Sequence, residues 1–277
     1  MSAAKILDGH FHPLDCLKRL PGLLCSSEIA GAGASASPEE WPELAEWAQR
    51  GGFPFVLGIH PWQSSILAKE ADGGGKLLQK WLSELRRRLE MYPRPAAIGE
   101  MGFDLVHCPK EERELQRIMF REQCLMASDF SLPCVIHCVR GFNDLFSALE
   151  DCRRETGKKT DGLIHSFRGS PELCRRCVRY GFYISLNASL AEAARKAEGP
   201  VYERLVVLSR EIPADRIIVE SDSPWGVPSP QETLPFSMLL GRLWHMDGPD
   251  FAEQCRHNLG RLYRLPLVSK IQEQNKQ

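Results

Sequence analysis

Apolar residues in this chain follow two rhythms. Short, nearly unbroken apolar runs occupy residues 4–10, 23–29, 53–59, 96–100, 134–137, 162–165, 181–186 and 216–220. Most are followed by stretches with apolar residues three or four apart, as at 77–91, 111–128, 142–156, 171–180 and 201–211. The first rhythm predicts strands and the second amphipathic helices. Their alternation predicts a parallel sheet in an α/β fold, a single (β/α)8 barrel of a size that suits 277 residues. Residues 234–263 read as closing helices and the polar residues 269–277 as a frayed tail, so one barrel domain is expected over 1–268. The low-complexity stretches 30–37 and 73–75 read as loops, the second as an insertion after the third strand.

Charge and cysteine content narrow the picture. A formal net charge of -1 argues against a broadly basic nucleic-acid binder while leaving room for a local basic cleft. No run of about 18 apolar residues is present, so no membrane span is expected. The residues from Met1 to Lys5 lack the apolar region of a signal peptide. A cytoplasmic location is expected, or a nuclear one in a eukaryote, and not secretion. The ten cysteines are scattered (Cys16, Cys124, Cys134, Cys138 and Cys255 among them) and read as free thiols. Cys174 and Cys177 form a lone C-x-x-C, read as structural because no second pair stands at zinc-finger spacing.

Chemistry gathers at the predicted strand ends, where barrels build their active sites. In an extended strand Asp8, His10 and His12 face one way. Later strands end at His60, Glu100 (with Asp104 beyond), His137 (with Arg140 beyond), His165, and the run Glu220, Ser221, Asp222. Five of the eight histidines therefore fall on one rim. Nitrogen and carboxylate donors without convergent thiolates suit zinc, manganese or magnesium. They are too many for one tetrahedral ion, which points to a two-metal hydrolytic site with Glu100 as the best-placed bridging carboxylate.

These landmarks, in order, resemble the TatD family of metal-dependent deoxyribonucleases, within the amidohydrolase-like barrel superfamily. They are the D-x-H-x-H stretch Asp8–His12, the G-x-H-P turn at 58–61 and the I-G-E-x-G-x-D run at 98–104. Gln116, Phe120 and Gln123 follow on a helix, then the strand ending at His137 and the H-x-F-x-G turn at 165–169. The run Gly181-Phe182-Tyr183-Ile184-Ser185, the E-x-D-x-P turn at 220–224 and Asn258 complete the set. The resemblance covers residues 6 to about 263. It implies that His10, His12 and Asp222 hold one ion, His137 and His165 the other, and that Glu100 bridges them. It further implies that Asp222 accepts a proton from the attacking water, while Asp8 orients a ligand from behind. Related amidohydrolases often bridge with a carbamylated lysine. No lysine stands at the end of the fourth or fifth strand here, which favours Glu100.

Three positions depart from the family pattern. Arg140 is displaced by one residue from the usual His-x-Arg, Arg168 replaces a small or acidic residue, and Ser221 replaces threonine. Arg168 then either binds phosphate or is a solvated surface residue. His60 either contacts substrate phosphate or caps its loop. Trp62 and Trp225 are expected to pack in the loops, with stacking on an unpaired base as the alternative. His107, His245 and His257 are expected away from the rim. The triple arginine at 86–88 reads as a solvated helix face.

The leading expectation is a metal-dependent 3′→5′ exonuclease acting on single-stranded or frayed DNA, with two divalent ions (Mg, Mn or Zn). The alternatives are an amide or ester hydrolase, such as a D-aminoacyl-tRNA deacylase, and a non-catalytic metal-binding scaffold.

Overall fold

Strands this apolar need cover on both faces, which a helix-wrapped parallel barrel provides. The computed structural model describes residues 6–19 and 29–265. Its elements, in order, are β1 (Ile6–Phe11), α1 (Pro13–Arg19), β2 (Ile29–Ala34), α2 (Trp41–Gly51), β3 (Phe55–Leu57), α3 (Ser64–Leu67), α4 (Gly75–Glu90), β4 (Ala97–Asp104), α5 (Arg113–Phe130), β5 (Cys134–Val139), α6 (Phe142–Thr156), β6 (Gly162–Ile164), α7 (Pro171–Tyr180), β7 (Tyr183–Asn187), α8 (Ala191–Lys196), α9 (Gly199–Glu211), β8 (Ile217–Glu220), α10 (Thr233–Leu240) and α11 (Gly248–Leu262). All eight strands pair in parallel in chain order, giving the nearly closed barrel expected from the alternation. Large side chains such as Trp41, Phe55, Phe103, Phe120, Phe146 and Phe236 are fully buried. Among the described residues no helix is long and apolar enough to cross a membrane. Nine described cysteines are free, Cys174 and Cys177 included, and both of that pair are buried.

One strand was misplaced. Of the expected strand 23–29, residues 23–28 lie outside the described residues, as does the tail 269–277. The second strand is instead the small-residue run Ile29–Ala34, which composition read as loop. Close packing explains the difference. A Cβ on Gly31 would lie 1.7 Å from the Asp8 carbonyl oxygen, and one on Gly33 would lie 2.7 Å from Pro13 Cγ. Small residues here admit the neighbouring strand rather than loosen the chain. The short helices α1, α2, α3 and α8 were not foreseen, and β4 continues past its expected end to Asp104, buried throughout.

The barrel has a seam between β8 and β1, which form no strand ladder. Side chains close it. The Asp8 carboxyl accepts from the Ser221 backbone N–H (2.9 Å) and hydroxyl (2.5 Å), and from the His10 N–H (3.2 Å). Beyond the strands, Asp222 N–H donates to the His10 carbonyl (2.9 Å) and His12 N–H to that of Ser223 (2.8 Å). From α11, Asn258 donates to the Ile217 carbonyl (2.7 Å) on one side of the seam, and just beyond the helix Tyr263 donates to that of Gly9 (2.8 Å) on the other. Asp8 therefore does not face the rim beside His10 and His12. The β1 register slips between Asp8 and Phe11, and Asp8 is committed to β8. Asp8→Ala, which strands buried donors, should cost about 2–4 kcal/mol in urea unfolding. Asp8→Asn keeps an acceptor for the N–H groups and a donor for the hydroxyl, and should cost less than half as much. Equal losses would show that the seam does not depend on these bonds.

Candidate metal centre

Glu100 lies where β4 shifts register against β5: Gly99 pairs with Val135, Met101 with Ile136, and Glu100 is left over. Such an extra residue is re-aimed relative to the pleat. Gly99 makes this possible, since its φ is 157° and a Cβ there would lie 2.4 Å from the Val135 carbonyl oxygen. The buried Glu100 carboxylate divides its two oxygens between two sets of imidazoles. Oε1 lies 3.2 Å from His10 Nε2 and 3.4 Å from His12 Nε2, and His12 Nε2 is in turn 3.5 Å from Asp222 Oδ1. Oε2 lies 2.9 Å from His165 Nε2 and 3.4 Å from His137 Nδ1, with those two nitrogens 3.3 Å apart.

Each imidazole of the second set is held from behind by a carboxylate. His137 Nε2 meets Asp104 Oδ2 at 3.1 Å, and His165 Nδ1 meets Glu220 Oε1 at 3.3 Å. Glu220 is itself fixed by the Ser185 hydroxyl (2.5 Å). These contacts leave His137 Nδ1 and His165 Nε2 turned inward, the arrangement that orients metal-binding imidazoles. His60 differs. Its Nδ1 accepts from the Trp62 N–H (3.2 Å), so its proton sits on Nε2, 3.6 Å from Glu100 Oε2. His60, Glu100 and His137 have donor atoms within ligand reach of one another, but this tautomer offers a hydrogen to the site rather than a lone pair.

The donor set fits divalent cations. Buried polar nitrogens are normally paired, yet neither ring nitrogen of the fully buried His10, nor His12 Nδ1, has a hydrogen-bond partner among the described residues. Donor atoms 2.9–3.5 Å apart match ligands around an ion bound at about 2.0–2.2 Å. The donors of His10, His12 and Asp222 group within 4.8 Å, as do those of His10, Glu100 and His165. His10 thus sits between the two halves of the cluster. Burial alone would raise the Glu100 pKa, but His165, His10 and His60 hold it well below the ordinary carboxylate range. Burial would likewise lower the His165 pKa, and the Glu100 and Glu220 charges raise it well above the usual imidazole value. Burial dominates at His60 and pushes its pKa down to about 3, keeping it neutral.

Other predicted residues fall as follows. Asp104, wholly buried, accepts from Trp62 Nε1 (2.8 Å) and from the Val106 (3.0 Å) and His107 (2.9 Å) N–H groups, and meets His107 Nδ1 at 2.8 Å. His107 is therefore at the rim, contrary to expectation, because β4 runs four residues further than its apolar run. Trp62 and Trp225 are 51% and 61% exposed, so neither packs into the loops as expected. Arg140 is exposed beyond β5 with φ 55° and makes no hydrogen bond or ion pair among the described residues. Arg168 is likewise exposed and unpaired among them. His257 lies on α11, and His245 lies in the turn before that helix. Arg87 and Arg88 pair with Glu84, and Arg86 with Asp129, as a solvated face would.

Sequence reasoning gave no role to two α5 amides. Gln116 accepts from the Asp104 N–H (2.9 Å) and donates to its carbonyl (3.2 Å), and Gln123 does the same for Ile59 (2.6 and 3.1 Å). They fix the ends of the chain segments that carry Asp104 and His60. Glu220, seen only as part of a motif, sits two residues before Asp222, and strand alternation was the signal that it faces the same interior.

Fold and site together define a parallel barrel with a buried cluster of nitrogen and oxygen donors, a candidate metal centre, at the carboxyl ends of its strands. The chain belongs to the TatD related DNase family, whose model matches residues 23–264. It is 32% identical over 173 residues to the deoxyribonuclease Tat-D of Schizosaccharomyces pombe, covering 62% of this chain and 52% of that protein. The chain thus spans about half the length of that curated relative. It is 27% identical over 249 residues to the 3′-5′ ssDNA/RNA exonuclease TatD of Pantoea, covering 86% and 87%. The crystal structure of the TatD homologue YJJV from Escherichia coli shares the fold, with a TM-score of 0.73 at 20% identity over 95% of this chain and 99% of that one.

A cation that binds only the folded centre stabilises it by about 2.7 kcal/mol at a hundredfold excess over Kd. For a chain of this size that is a rise in Tm of roughly 5–10 °C. Adding Mn, Zn or Mg to chelator-treated protein should give this shift, and His10→Ala should abolish most of it. An unshifted wild type, or an undiminished shift in the variant, would contradict the assignment.

Proposed function

We propose that the protein is a metal-dependent phosphodiesterase that removes nucleotides from the 3′ end of single-stranded or frayed DNA. The observation that carries this reading is Glu100, whose two oxygens each face their own imidazole set, as a carboxylate shared by two ions would. In this reading His10, His12 and Asp222 hold one ion, His137 and His165 the other, and Glu100 joins them. Divalent ions in such a site supply an acidified water and offset charge on phosphoryl oxygens.

The protein's own groups do the rest. Asp222 is partly open to solvent, and its Oδ1 is engaged by His12 while Oδ2 has no partner among the described residues. Burial would raise its pKa, but His12 and His165 hold it below the ordinary value. It is thus ionised and able to accept the proton of an attacking water. His60, neutral with its proton on Nε2, donates toward a phosphoryl oxygen at the mouth. Trp62 offers an exposed ring for an unpaired base, whereas the Trp225 ring carries the Arg19 guanidinium 4.7 Å from its centroid. The names of the S. pombe and Pantoea relatives support a nucleic-acid substrate, and the free cysteines suit a reducing compartment such as the cytoplasm.

End-labelled oligonucleotides should be shortened stepwise from the 3′ end by cation-loaded protein and spared in chelator. Glu100→Gln and Asp222→Asn should each lower kcat by about 10²–10⁴ with the barrel still folded. Cleavage confined to an aminoacyl ester, or full turnover in both variants, would overturn the proposal.

A further inference from the structure

A second recess lies beside the metal centre, between the chain that follows β6 and the start of α9. Arg168, three residues beyond His165, and Arg204 both line it. Asn187 lines it too, and its amide donates to the Ser221 carbonyl (3.2 Å), next to Asp222. Phe167, Leu190 and Val201 supply an apolar lining. The cavity volume is about 430 Å³. That lies toward the lower end of small-ligand clefts, roughly 300–1,000 Å³, and suits one nucleotide unit rather than a duplex.

The charge pattern of this recess is unusual for the molecule. Arginines on the outer helices mostly have carboxylate partners, as in Arg113–Asp144, Arg121–Glu155 and Arg175–Glu211. Among the described residues neither Arg168 nor Arg204 has one. Arg204 donates to the Gly169 carbonyl (3.0 Å), which holds its head against the loop that carries Arg168. Burial and the Arg168 charge both lower the Arg204 pKa, as expected where two like charges face one space. Two guanidiniums together without a counterion make a site for an anion with several acceptor oxygens. The apolar lining adds that this anion carries a flat or apolar body.

We infer that the recess is a nucleotide subsite, with a phosphate between Arg168 and Arg204 and the base against Leu190 and Val201. The choice of nucleotide as ligand rests on the nuclease reading, because a strand threaded past Asp222 would bring its neighbouring unit here. Binding itself requires no cleavage.

The test is calorimetric titration of the full chain, in chelator, with thymidine 5′-monophosphate, thymidine and inorganic phosphate. The monophosphate should bind saturably at one site, at least about tenfold more tightly than either fragment. Arg168→Gln and Arg204→Gln, both at exposed positions, should each weaken it by about tenfold or more, the usual effect of losing a charged hydrogen bond. Val201→Glu, which sets a carboxylate beside the two cations, should do the same. Absence of saturable binding, thymidine or phosphate binding as tightly as the monophosphate, or variants within about twofold of wild type would overturn the inference. If oligonucleotides are not cleaved yet the monophosphate binds in this arginine-dependent way, the nuclease reading fails and the subsite stands. Cleavage without such binding gives the reverse.

Discussion

A carboxylate buried at the mouth of a barrel is costly unless opposite charge surrounds it closely. Glu100 is such a group, and the centre is arranged around it. Five imidazoles approach within 3.6 Å, from chain segments as far apart as residues 10 and 165. In the protein alone those imidazoles and the carboxylate satisfy one another imperfectly, as the unpaired nitrogens of His10 and His12 show. A cation beside His10 Nε2 would give that orphaned nitrogen a partner carrying charge without a proton. Where Glu100 sits therefore determines what the other side chains can do.

Placing those side chains is a problem of barrel closure. His10 and His12 come from one side of the seam and Asp222 from the other, so half of the cluster exists only if the seam stays shut. No ladder joins β8 to β1. Asp8 and Ser221 bind across it, Asn258 and Tyr263 hold the two edges from α11 and just beyond it, and two backbone bonds lock the loops above. Asp222 itself has φ 51°, and Ser166, just after His165, has φ 45°. Non-glycine residues in the left-handed region persist only where surrounding bonds over-determine them, and they concentrate at functional sites. Polar bonds buried beneath the rim thus do the work that sheet hydrogen bonds do elsewhere in the barrel.

Much of this was legible in the sequence, for physical reasons that can be named. Buried strands read as apolar runs, and a barrel's chemistry lies just past their ends, so His60, Glu100, His137, His165 and Asp222 could be picked out without coordinates. What escaped notice depends on backbone proximity. Residues 30–34 have the composition of a loop and the job of a strand, because Gly31 lets Asp8 approach. Asp8 looked like a rim residue by alternation until the register slip in β1 turned it into the seam. His107 was set aside because β4 outruns its apolar stretch. Gln116 and Gln123 stood out in the chain, but their roles require knowing which backbone groups lack ladder partners.

The layer behind the ligands ties the outside of the protein to the centre. Asp104 accepts hydrogen bonds from the exposed Trp62 indole and meets the His107 ring, and the same Oδ2 meets His137 Nε2. Burial would raise its pKa, but His137, the His107 backbone N–H and Trp62 hold it far below the ordinary carboxylate value, so it stays ionised and keeps accepting from all of them. The strength of the bond to His137 depends on how the other donors share that oxygen. A base resting on the Trp62 ring therefore touches a group whose N–H is one bond from Asp104 and two from a candidate ligand. Trp62 and His137 are 6.1 Å apart between ring centroids, edge to face. An exposed aromatic at this mouth is consequently part of the same hydrogen-bonded unit as the imidazole that faces Glu100.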